Sequence, residues 1–199
     1  MDRGPNDDPV VVVVKRHRDR AHFEHEARWL TAALHRPVAR LEAVMAERLT
    51  LTTRFNPAVT LADAAMVPAT ASALLAELAL IVADLAVDGL THGNLDVDHV
   101  LRDRRGRVFV VSPAPTAAPG ADLVGLARCC RQVMETADAV AVERGEHPWG
   151  HRERRRWHEL GAVLVAGDLG PQRAARHLNE LARTMAEPSH RRLRRRLRS

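Results

Sequence analysis

The sequence has no tyrosine, three phenylalanines and three tryptophans, so aromatics make up only 3% of 199 residues. That argues against a single-strand nucleic-acid binder, which stacks successive bases on aromatic platforms. Cysteine is nearly absent too. Cys129 and Cys130 are neighbours, which excludes a disulfide framework and, with no adjoining His or Cys, a zinc knuckle. Lysine occurs once, at Lys15, against twenty-nine arginines. The longest uninterrupted apolar runs are five to eight residues, so no membrane span is expected. The opening MDRGPNDDP carries acid and proline rather than a basic-then-apolar signal, which makes the cytoplasm the expected compartment.

What is present reads as a folded chain. Hydrophobic residues are 46% and charged residues 28%, the balance of a globular protein. A chain of this length buries roughly 70% of its unfolded surface, enough for a core without staples. It bounds the protein to one ordinary domain or two small lobes. The formal charge of +5 is uneven, with thirteen arginines between positions 150 and 199. Codon bias in a GC-rich genome accounts for the arginine and alanine content without invoking function, and it draws attention to the one lysine.

Five consecutive valines, 10–14, lead into Lys15 and predict a buried strand. Phe23, Ala27, Leu30 and Leu34 recur at helical spacing. Strands are expected over 37–44 and 48–55 around a turn at 45–47, with Asn56-Pro57 closing that section. A long helix is predicted after Pro68, stopping at Gly89. Residues 100–101 and 108–111 bracket Asp103-Arg-Arg-Gly106, a hairpin signal. The stretch 112–120 reads as loop, and helices are expected over 122–143, 151–166 and 171–186.

This order resembles the protein kinase fold, in a degenerate bacterial form of the serine/threonine type. The matching features are a strand ending in lysine, a helix glutamate eleven residues on, two strands and a hinge, a long helix, HGNLDVDHVL and a hairpin. His92-Gly-Asn-Leu-Asp-Val-Asp-His99 stands where such kinases carry H-R-D-L-K-x-x-N, and Ser112-Pro113-Ala114 where D-F-G falls. The resemblance covers about residues 10–185. It implies an α+β, truncated kinase-like fold, with a small three-stranded N-lobe carrying one helix and a mostly helical C-lobe. The corresponding divisions are a leader at 1–9, an N-lobe at 10–66, a C-lobe at 67–187 and an arginine-rich tail at 188–199. By the same resemblance, Lys15 pairs with Glu26 in a vestigial nucleotide pocket with Thr53 as gatekeeper. Glu26 is favoured over Glu24 because FEHEARWL fits the family's F-x-x-E-x-x-x-L. A guanidinium does not substitute freely at a compact phosphate site, which fits the survival of Lys15. His92, Leu95 and Asp122 are the implied structural residues, Asp122 buttressing the catalytic loop from below.

The departures bear on function. Phosphoryl transfer relies on a base aspartate, metal-binding side chains and a phosphate-covering loop. Asn94 replaces the base, and an amide takes up no proton near neutral pH. His99 and Ser112 replace the metal-binding asparagine and aspartate, and Asp96 stands where a lysine would neutralise phosphate. Only nine residues precede the first strand, so no Gly-rich loop is expected. Gly93 replaces the arginine that reads a phosphorylated activation loop. Each missing group commonly costs ~10²–10⁴ in rate, and together they leave no credible catalysis. The expectation is a pseudokinase: a regulatory or scaffold module without metal or obligate cofactor, with at most weak, metal-independent ATP binding. Its expected partner is another protein, such as an active kinase or a membrane-associated complex.

Two alternatives stay open. One is a divergent phosphotransferase using Asp96 or Asp98 as base. The other is an adaptor for nucleic acid or anionic membrane, acting through Arg191, Arg192, Arg194, Arg195, Arg196 and Arg198, with HRERRRWH at 151–158 as a second basic segment. The spacings of His17, His22 and His25, and of His147 and His151, admit a metal, but no carboxylate or cysteine completes either set. Asp96, Asp98 and Asp103 lack calcium-loop spacing.

Overall fold

The computed structural model of the chain describes residues 10–64, 66–118, 120–143, 151–166 and 168–186. It is a mixed α+β structure with two small antiparallel sheets and five helices among these residues. The leader at 1–9, His147 and the tail with its six arginines lie outside the described residues.

The valine run forms β1 (Val11–Arg16), as β-branched side chains favour, but not as the buried strand expected: it lies at the edge of its sheet and leaves Val12, Val13 and Val14 exposed. Helix α1 (Arg20–Ala32) begins where Asp19 accepts the His22 N–H at 2.9 Å, an N-cap interaction. After it come β2 (Arg40–Met45), a 3-10 turn (Ala46–Arg48) and β3 (Thr50–Phe55). The first sheet has the order β1-β3-β2, with Lys15 opposite Leu51 and Val13 opposite Thr53. One face carries α1, whose buried residues are Phe23, Glu26, Trp29 and Leu30.

β2 begins at Arg40 rather than at the expected position 37. Proline has no N–H to give a ladder, and the Pro37 carbonyl instead accepts from Val110 at 3.1 Å. Together with the Val38–Val110 bridge, this bond ties the two sheets to each other.

A short strand absent from the sequence reading, β4 (Ala58–Thr60), follows Asn56-Pro57 and pairs with β5 (Val100–Asp103). β5 continues into β6 (Val108–Val110), giving the order β4-β5-β6. The chain therefore passes from the first sheet to the second at Asn56-Pro57.

Helix α2 (Pro68–Val87) has proline in its first turn and is followed by Gly89 at φ +69°. By length and composition alone it could cross a membrane, with a mean hydropathy of 1.9. Polar residues spaced along it hid this from a search for unbroken runs. Yet 61% of that stretch is buried inside the fold, as in a core helix. Leu75, Leu78 and Leu85 are wholly enclosed, and Ser72 Oγ donates to the Leu178 carbonyl at 2.8 Å. Leu178 belongs to α5 (Pro171–Ala186), which packs along α2 together with α3 (Ala121–Glu143). Helix α4 (His151–Val165) packs on α3 and buries Trp157.

Candidate functional site: a loop held between two helices

Lys15 projects from β1 onto the face that α1 covers. Its Nζ lies 2.6 Å from Glu26 Oε2, with the lysine side chain 40% exposed and the glutamate 8%. His17 Nε2 comes within 3.3 Å of the same oxygen, without hydrogen-bond geometry. Burial holds His17 below the ordinary histidine value; Glu26 opposes that shift and Lys15 adds to it.

One turn beyond Glu26, Trp29 reaches out of the sheet's own neighbourhood. Its indole N–H donates to the Thr91 carbonyl at 3.0 Å, and its ring meets His92 edge-on at 5.6 Å. Position α1 thus links the Lys15–Glu26 pair to the loop that starts at His92.

That loop is fixed from below by α3. Asp122 is buried in the first turn of α3. Its two oxygens accept the His92 N–H at 2.8 Å and the Gly93 N–H at 2.7 Å. A buried carboxylate needs such donors, and two backbone amides supply them. Gly125, one turn along α3, permits the approach: a Cβ there would lie 2.7 Å from Leu95 Cβ. Gly93 is held at φ +72°, and its missing Cβ would come 2.4 Å from Ala117 Cβ. The loop geometry therefore demands glycine here.

The His92 ring is fully enclosed. Since a carbonyl only accepts, Nε2–H donates to Val111 O at 2.9 Å, leaving Nδ1 to accept the Asn94 N–H at 3.3 Å. Burial lowers its pKa, which suits this neutral form.

The remaining polar residues form one network. Asp96 Oδ1 accepts from the backbone N–H groups of Asp98 and His99, both at 3.0 Å, and from His99 Nδ1 at 2.7 Å. With its proton on Nδ1, His99 offers Nε2 to the Asn94 amide at 3.3 Å. The same amide lies 3.5 Å from the Ser112 carbonyl. Ser112 itself sits at φ +59°, unusual for a residue with a side chain. The Ala114 N–H returns to the His92 carbonyl at 2.7 Å, closing 112–114 onto the loop.

The structure thus brings together Lys15 with Glu26, Asp122 with His92 and Gly93, and Asn94, Asp96 and His99 with Ser112. Leu95 is buried beneath the loop, while Thr53 is half-buried within β3. Trp29 and Gly125 escaped the sequence reading, and His17 entered it only as part of a metal-compatible spacing. Of these, Trp29 had a visible signal, as one of only three tryptophans and three residues from Glu26.

Other candidates have structural work. Asp103 is buried in the hairpin, accepting from the Arg105 and Arg107 N–H groups and the Arg107 side chain. Cys129 and Cys130 are buried in α3, and burial pushes the Cys129 thiol up to about 12. No group of three or more His, Cys, Asp or Glu suited to a metal occurs among the described residues. A cavity of about 800 Å³ between the sheets, lined by Arg36, Arg54, Phe55, Arg107 and Phe109 among others, does not include Lys15. Compared with models of known protein families and with curated proteins, the chain matches none.

Proposed function

We propose that this protein is a catalytically inactive, protein-kinase-like binding module of the cytoplasm, regulating a protein partner through surface contacts. The observation that carries the reading is the self-contained network of Asn94, Asp96 and His99. In the resemblance, these positions serve the transferring phosphate and its metal. Here Asp96 Oδ1 is taken up by three donors, and both His99 ring nitrogens are engaged within the loop. Magnesium takes oxygen ligands in near-ideal octahedral geometry, and an engaged imidazole beside a serine fits that poorly. An amide at 94 accepts no proton. Meanwhile, the Lys15–Glu26 pair and the Asp122 bracket support the reading of a retained scaffold.

One observation favours a second reading, a divergent phosphotransferase. The Asp96–His99 contact orients an imidazole as acid–base sites do, which would make His99 the proton acceptor rather than Asp96 or Asp98. Thermal-shift titration with ATP, with and without magnesium, separates the two, together with a phosphate-release assay. The binding module gives a small or absent shift that magnesium does not enlarge, and no turnover. A large magnesium-dependent stabilisation, or turnover lost in His99→Ala, would overturn it.

A further inference from the structure

The first sheet has two edges, and they differ. At the β2 edge, the register breaks in a bulge between Leu41 and Ala43, and Arg40 and Glu42 stand on the strand. Bulges and charged side chains are how natural sheets block edge-to-edge pairing. The β1 edge has neither device within its valines. Val11–Arg16 pairs with β3 in unbroken register, without proline and without charge before Lys15. Among the described residues no strand lies on its outer side. The strand therefore presents unpaired backbone donors and acceptors, beside Val12 and Val14 at 57% and 64% exposure.

We propose that β1 pairs two copies of this chain, antiparallel about a two-fold axis at Val13, joining their sheets into one of six strands. Three features favour a second copy over a foreign strand. The run is valine up to Lys15, so two-fold pairing sets Val12 against Val14 of the partner subunit and Val13 against itself, matching β-branched side chains at the centre, with Val11 opposite the partner's Lys15. The antiparallel direction keeps the Lys15 and Arg16 charges of the two copies at opposite ends of the pairing. The sequence also supplies opposite charges for the two ends, with Asp7 and Asp8 ahead of the run and Arg16 and Arg18 behind it. Side chains alternate along a strand, so Val12 and Val14 lie on the face opposite Lys15, and pairing leaves the Lys15–Glu26 contact undisturbed. The inference stands independently of the nucleotide chemistry above.

The test is register-specific. Sedimentation velocity over the micromolar range should give twice the 22.0 kDa chain mass for the unsubstituted protein. Val12→Lys with Val14→Lys sets like charges against each other across the axis and should yield monomer. Val12→Lys with Val14→Glu sets opposite charges together and should restore the dimer. A monomeric unsubstituted protein overturns the proposal, whether its edge stays free or is covered by its own leader. So does a dimer that survives the double lysine change, or a monomer in the lysine–glutamate pair. Both exposed sites tolerate polar residues, which circular dichroism melts check. Amide exchange of the unsubstituted protein reads the edge without substitution: β1 protection should rise with concentration, and constant protection overturns the proposal.

Discussion

The Trp29 indole donates to the Thr91 carbonyl at 3.0 Å, across sixty-two residues of sequence. It is the bond by which α1 is docked on the loop that starts at His92. Replacing Trp29 by Phe keeps most of the ring and removes the donor, leaving Thr91 O unpaired. We expect a loss of ~1–2 kcal/mol in urea unfolding, and ~3–5 kcal/mol for Trp29→Ala, which also empties the site. Equal midpoints for Trp29→Phe and the unsubstituted protein would show that the bond does not hold the two parts together.

Asp122 supports the same loop from the other side. In Asp122→Ala the buried N–H of His92 and the half-buried N–H of Gly93 lose their acceptor, and roughly 3 kcal/mol should go. Asp122→Asn keeps one accepting oxygen but turns an amide donor towards the second N–H. It should fall between alanine and the native residue. Chemical denaturation of the three proteins gives the order, and an asparagine variant as stable as the native one would refute a two-donor bracket.

Local patterns made much of this legible in the sequence. The 3.6-residue apolar period marked α1, Pro68 and Gly89 marked the ends of α2, and the Gly106 turn marked the β5–β6 hairpin. The strand lysine and the helix glutamate were paired through the resemblance to protein kinases, whose F-x-x-E-x-x-x-L pattern singled out Glu26, and not through any spacing that encodes their contact. The Trp29–Thr91 bond and the Asn94–His99–Ser112 network were not readable. Each depends on how separate elements come together, which no local spacing encodes. β4 was missed for a different reason: three residues after Asn56-Pro57 are too few to show alternation, and β5 alone makes them a strand.

Acid should weaken the fold through two histidines. His17 and His92 have pKa values lowered from the ordinary 6.5, with burial the first cause in each. A lower value in the folded state means that the unfolded chain takes up protons first as pH falls. The stability these groups contribute is therefore whole above 6.5 and is lost as pH drops through their folded values. His17→Leu removes one of them, so stability should fall less steeply between about pH 7 and 5 than in the unsubstituted protein. Urea titrations at several pH values measure the slope; identical slopes would show that His17 protonation is not linked to folding.

Two glycines separate backbone conformation from space. Gly89 and Gly93 have nearly the same positive φ, +69° and +72°, so alanine meets a similar conformational cost at both, ~1–2 kcal/mol. Around Gly89 a Cβ would meet nothing within 4 Å, whereas at Gly93 it would press to 2.4 Å from Ala117 Cβ and 3.2 Å from Ala114 Cβ. Overpacking of that kind adds ~1–3 kcal/mol. Gly93→Ala should therefore cost more than Gly89→Ala, and the excess measures how tightly 114–117 close over the loop. Adding Ala117→Gly should recover much of the excess at position 93 and do nothing for position 89. Equal costs at the two positions, or no recovery in the double variant, would mean that the closing segment yields freely and that the loop is not clamped by it.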